Sequence, residues 1–170
     1  FSRDSGADLF ISLHADSIEE KTAADNIRGA TIYTLSGKAS DEQARVMAEK
    51  ENASDLLAGI EAYDKGNDDQ VKNILIDLMK RETSNFSADF SQVLAKRLGK
   101  TIEMSRLPRR SAAFKVLKQT DAPSVLVELG YISNRTDEEQ MLTPEWQSKV
   151  AGSIAEAVQI YFNKRTAARP

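Results

Sequence analysis

Apolar positions recur along this chain in two periods, and the switch from one to the other marks out its elements. Leu9, Ile11 and Leu13 alternate with Phe10, Ser12 and His14, the two-residue period of a strand apolar on both faces near its start. His14 then stands at the carboxyl end. A polar loop over 16–26 leads through Arg28-Gly29 into Ala30-Thr31-Ile32-Tyr33-Thr34-Leu35, whose β-branched and aromatic residues predict a second strand. Ser40 followed by Gln43 is a capping-box signature, and the proline-free segment behind it predicts a helix over 41–58. Residues 59–66 read as a break. Val71, Ile74, Leu75 and Leu78 then recur at helical spacing behind Asp68-Asp69, and Ser84-Asn85 interrupts or bends that helix. Phe86, Phe90, Val93 and Leu94 carry the pattern to Leu98 or beyond.

Further along, Phe114-Lys115-Val116-Leu117 reads as a short strand or a helix end, and Ala122-Pro123 introduces a strand over 124–128. Ser133-Asn134 marks a turn, followed by a short helix over 137–142. Thr143-Pro144 is the N-cap and N1 pair of a final helix that turns Trp146, Val150, Ile154, Val158 and Tyr161 to the core. The tail from 164 to 170 is expected to fray. The block over 40–104 is all helical and far exceeds the single helix of a βαβ crossover. The fold class is therefore α/β: a mostly parallel, twisted sheet flanked by helices, with an inserted helical block.

Composition narrows the class. A chain of 170 residues fits one domain, and 41% hydrophobic with 29% charged residues is a globular balance. The net charge of -3, with both signs interspersed, offers no basic stripe for a phosphate backbone, so nucleic acid is not expected as a partner. With no cysteine there is no disulfide framework, no thiolate metal site and no thiol nucleophile. No apolar run approaches the ~18 residues of a membrane span. The first residues run straight into a strand without an opening methionine, as in a chain that begins inside a larger domain.

Two strand ends carry chemistry. A lone histidine at a strand end is more often a hydrogen-bonded structural residue than a ligand, and His14 is the single histidine here. Glu128 closes the run Val125-Leu126-Val127, which commits its backbone to the interior, where a carboxylate needs a partner or a metal. Together the pair suits a divalent cation held by imidazole, with a carboxylate as general base toward water. Glu51 shares a helix face with Ala44, Met47, Ala48 and Ala58, so it projects either from a small-residue surface that can line a cleft or simply into solvent. Arg109-Arg110 reads as a solvated turn before an anion site. The serine hydroxyls lack a nucleophile-elbow context.

The segments Ala7-Asp8-Leu9-Phe10-Ile11-Ser12-Leu13-His14-Ala15-Asp16-Ser17 and Val127-Glu128-Leu129-Gly130-Tyr131-Ile132-Ser133-Asn134, in that order, resemble the zinc-dependent N-acetylmuramoyl-L-alanine amidases of bacterial cell walls. The helical block, with Ala39-Ser40-Asp41-Glu42 and Lys50-Glu51-Asn52-Ala53, resembles the regulated cell-division members of Gram-negative bacteria. The resemblance implies an amidase-like fold over 1–170, with 40–104 as a regulatory insert. It makes His14 a zinc (Zn2+) ligand and Glu128 the catalytic carboxylate. It also implies that Glu51 is an inhibitory ligand on a helix occupying the cleft. A further histidine and glutamate ligand lie upstream in that family, so 1–170 is expected to be the C-terminal part of the catalytic domain. The implied substrate is peptidoglycan, cut between N-acetylmuramic acid and L-alanine in the periplasm of a dividing cell. A monomer regulated by a LytM-type activator is expected, with Leu56, Leu57 and Ile60 as a contact surface. The alternatives are another zinc peptidase, such as a carboxypeptidase, and a non-catalytic wall-binding module.

Overall fold

The computed structural model describes residues 5–18, 27–57, 70–118 and 122–167, with the side chains of 55–57 and 70–77 outside that description. The described residues form four strands: β1 (Phe10–Asp16), β2 (Ala30–Leu35), β3 (Met104–Ala112) and β4 (Ser124–Tyr131). Among the described residues five helices accompany them: α1 (Glu42–Leu57), α2 (Gln70–Leu98), α3 (Lys115–Lys118), α4 (Arg135–Met141) and α5 (Pro144–Ala167). The strands form one sheet in the order β1-β4-β2-β3. Phe10 N–H donates to the Pro123 carbonyl and Ile132 N–H to that of Asp16, which joins β1 to β4 start to start and end to end, hence parallel. Ala30 N–H to Glu103 and Ser36 N–H to Ala112 make β2 and β3 parallel in the same way. β2 and β4 run antiparallel, with Thr31 opposite Glu128 and Tyr33 opposite Leu126. The mostly parallel expectation holds for two of the three junctions, and the sheet is mixed.

β4 owes its place to its residues. Ser124 through Glu128 are all buried, as an unbroken apolar run in an inner strand requires. β3 is the opposite case. It carries Pro108 and three arginines and lies at the sheet edge, where a missing N–H and exposed charges are tolerated. The expectation of a turn at Arg109-Arg110 is thus corrected. Arg109 is exposed, and the Arg110 side chain is only 7% exposed and ion-paired with Asp41.

The chain groups into two compact units. The first comprises Phe1–Ile11, Thr34–Ala88 and Arg110–Val125. In it α1 buries Ala44, Met47, Ala48 and Glu51, one stripe at three- and four-residue spacing. Asp41 caps this helix by accepting the Ala44 N–H at 3.0 Å, the part expected of Ser40. Ser40 instead donates its hydroxyl to Asp41 and accepts the Ser111 N–H. Asn52 ties the helix to the turn before α3, donating to the Ala113 carbonyl at 2.9 Å and accepting the Lys115 N–H at 2.6 Å. The short segment after Phe114 is the helix α3.

The second unit comprises Ser12–Tyr33, Asp89–Arg109 and Leu126–Pro170. Here the last part of α2 meets α5 through an edge-to-face pair, Phe90 on Tyr161 at 5.3 Å, and a Thr101–Ser153 hydroxyl bond at 2.8 Å. The buried stripe of α5 is Val150, Ser153, Ala157 and Tyr161, whereas Trp146, Ile154 and Val158 flank it half-buried. Small residues at 153 and 157 let the helix approach closely, which displaces the expected stripe by one position. Thr143 and Pro144 open α5 as expected. Ser84-Asn85 does not interrupt α2, which is one helix of 29 residues. Its polar Ser87 satisfies itself on the Thr83 carbonyl and accepts the buried Ser124 N–H. The expected break over 59–66, Ile60, and residues 168–170 of the tail lie outside the described residues, as do the side chains of Leu56, Leu57, Val71, Ile74 and Leu75.

Candidate active site

The second unit brings His14 and Glu128 to neighbouring strand ends. β1 lies beside β4 in parallel, so the carboxyl ends of both strands emerge together, the place where open α/β sheets build their sites. Residue alternation puts Ser12, His14 and Asp16 on one face of β1, half-buried, with Leu13 on the other at 55% exposed. Ser12 Oγ lies 2.9 Å from His14 Nε2. Asp16 makes the link to β4. Its N–H donates to Glu128 Oε1 at 2.9 Å, while its carbonyl accepts the Ile132 N–H at 2.8 Å. Glu128 is wholly buried. A carboxylate kept in such a place without a task would be costly.

Asp16 was not singled out from the sequence, although its two-residue spacing from His14 was the available signal. One ligand atom of His14 and a carboxylate oxygen of Asp16 lie within 4.8 Å of each other. An imidazole and a carboxylate at that separation are a donor set that fits zinc, whose protein ligands are nitrogen, oxygen and sulfur. Behind β4, Asp137 holds the strand end. Its Oδ2 accepts the N–H groups of Gly29 at 2.9 Å and Tyr131 at 3.0 Å, and its Oδ1 faces Arg28 at 4.0 Å. Asn134 caps α4 and accepts the Asp137 N–H, which sets this carboxylate in place. Gly29 has φ +81, and a Cβ there would stand 2.8 Å from the Met104 carbonyl carbon. That backbone position needs glycine.

Glu51 belongs to the first unit, on α1, and is 8% exposed. The solvated alternative for this glutamate is excluded by that burial. Among the described residues no helix is long and apolar enough to cross a membrane.

Comparison with known proteins places this geometry in a family. The chain is 36% identical over 159 residues to N-acetylmuramoyl-L-alanine amidase AmiA of Escherichia coli K12, a match that covers 93% of this chain and 53% of AmiA. It thus spans about half the length of that curated relative. Its fold is similar to amidase AmiC2 of Nostoc punctiforme, with a TM-score of 0.57 at 20% identity over 95% of this chain and 62% of that one. The CwlD amidase of Clostridioides difficile, solved in complex with the GerS lipoprotein, matches with a TM-score of 0.57 at 18% identity over 94% of this chain and 57% of that one. With residues 1–160 matching the N-acetylmuramoyl-L-alanine amidase family, the chain belongs to that family.

Proposed function

We propose that this chain supplies part of a zinc-dependent hydrolase that cuts the amide between the lactyl group of N-acetylmuramic acid and L-alanine in peptidoglycan. The observation that carries this reading is the bond from the Asp16 N–H to the buried Glu128 carboxylate, which joins a general base to the strand end bearing His14. His14 and Asp16 are the residues of the second unit that would hold the ion. When bound, zinc acidifies a water and polarises the scissile carbonyl. Glu128 accepts the proton of the attacking water and passes it to the departing amine nitrogen of L-alanine. The Asp16 amide fixes the rotation of the Glu128 carboxylate, so that no ordering is needed at the moment of transfer. Hydrolysis by a chain extended upstream to the length of its relatives tests the reaction, with release of stem peptides that begin with L-alanine as the expected product. Release of a carboxyl-terminal residue instead would assign a carboxypeptidase. Binding to sacculi without zinc or turnover would assign a wall-binding module.

The finer reading concerns control. Glu51 offers a carboxylate as an inhibitory ligand to the same ion, and 40–104 acts as the regulatory insert that carries it. Its burial within an otherwise apolar stripe of α1 supports a specific role over a solvated one. Daughter-cell separation in the periplasm, by a monomer released by a LytM-type activator, completes the proposal; the likeness to E. coli AmiA supports it. The GerS complex of CwlD is a precedent for an amidase with a protein partner. In the extended chain Glu51→Ala should raise basal hydrolysis of dye-labelled sacculi, and unchanged basal hydrolysis would count against the plug.

A further inference from the structure

We infer that Ser12 is the positioning residue of the His14 imidazole: its hydroxyl engages Nε2 and so assigns the metal to Nδ1. The inference rests on the reading of His14 as a metal ligand. Ser12 and His14 stand two residues apart on one face of β1, and the 2.9 Å contact between Oγ and Nε2 is therefore set by the pleat of a strand rather than by a loop. A neutral imidazole has one donor and one acceptor nitrogen. When a cation takes the lone pair of one nitrogen, the other carries the proton and needs an acceptor, which fixes both tautomer and ring rotation. With a cation on Nδ1, Ser12 Oγ would be that acceptor for Nε2–H. Coordination through Nε2 would require this bond to break and the ring to turn.

The geometry of the strand adds a second constraint. Asp16 continues the same face and places a carboxylate oxygen within 4.8 Å of a ligand nitrogen of His14. Ser12 behind the imidazole and Asp16 ahead of it align three polar side chains along one strand face. The alternation in the sequence already puts Ser12 on the His14 face, and the structure adds the contact between them.

The chain holds a single histidine, so its two ring nitrogens can be read by long-range proton–nitrogen NMR without assignment against other rings. The 170-residue chain is titrated with Zn2+ at mildly alkaline pH, where a free imidazole is neutral. The expected result is a metal shift at Nδ1, with Nε2 remaining protonated. Ser12→Ala should mix the ring tautomers in the metal-free protein and weaken the zinc Kd ~10- to 100-fold, the usual effect of losing an outer hydrogen-bond partner. Ser12→Thr keeps the hydroxyl and should restore both, and the amide spectrum of β1 checks that the strand is intact in each variant. Zinc bound through Nε2, or an unchanged Kd in Ser12→Ala, overturns the role of Ser12 while His14 stays a ligand. No response at either nitrogen up to millimolar zinc, in this chain and in the chain extended upstream to the length of its relatives, overturns the Ser12 role together with the reading of His14 as a ligand.

Discussion

Asp137, itself buried beneath the end of β4, accepts the Gly29 and Tyr131 amides on one oxygen and faces the half-buried Arg28 with the other. Removing that acceptor strands two donors, each costing about 1–3 kcal/mol when left unsatisfied. Asp137→Ala is therefore expected to lower unfolding stability by roughly 3 kcal/mol, read as a lower urea midpoint at unchanged slope. A loss within about 0.5 kcal/mol, the scale of an ordinary surface substitution, would mean that water replaces the carboxylate. The same contacts explain what was legible residue by residue. His14 and Glu128 stood out because each is a polar side chain at the close of an apolar run. Asp16 and Asp137 did not, because an aspartate in a turn-like context reads as solvated until its partners are known. In the folded chain the Asp16 amide donates to the Glu128 carboxylate 112 residues away, and the Asp137 carboxylate accepts the Gly29 amide 108 residues away.

α1 is an element whose own sequence says where it starts and whose neighbours say where it stays. Its propensity and its stripe of Ala44, Met47, Ala48 and Glu51 were readable. The Asn52 amide, which donates to Ala113 and accepts from Lys115, was not. Asn52→Ala should cost about 2 kcal/mol, one ordinary net hydrogen bond on each side of the amide. Hydrogen exchange of the α1 amides should accelerate accordingly, with α5 unaffected. Uniform acceleration across both helices would show instead that the substitution lowers global stability. α4 allows a simpler check. Asn134→Ala removes the side-chain acceptor of the Thr136 and Asp137 amides and is expected to cost about 1 kcal/mol in a urea titration. β3 was the element missed altogether. Periodicity finds strands that bury a face, and an edge strand of arginines and proline buries little of either.

For the whole molecule, the acid limb of the stability curve should report on the Asp41–Arg110 pair. Burial raises the Asp41 pKa, but the Ala44 amide, the Ser40 hydroxyl and the Arg110 guanidinium outweigh it and hold the carboxyl below its ordinary 3.8. A carboxyl with a depressed folded pKa contributes stability that is fully present above the unfolded value and is lost as pH falls through the folded one. Stability should thus decline on acidification below pH ~4. Arg110→Met should flatten that decline. An acid limb identical in the variant would show that Asp41 gains nothing from the guanidinium.

By itself the sequence determined the periods, the starts of α1 and α5, the inner strand β4 and the two strand-end residues, because these depend on neighbours a few positions away. Its two motifs also carried the family resemblance that the comparisons bear out. Tertiary structure alone decided that β3 pairs at an edge and that Ser84-Asn85 leaves α2 unbroken. It also decided that Arg110 is buried on Asp41, and that Asp16 joins β1 to Glu128. Each of those outcomes depends on where a polar group finds its partner. For buried amides and carboxylates that partner lies far along the chain, where local pattern carries no information.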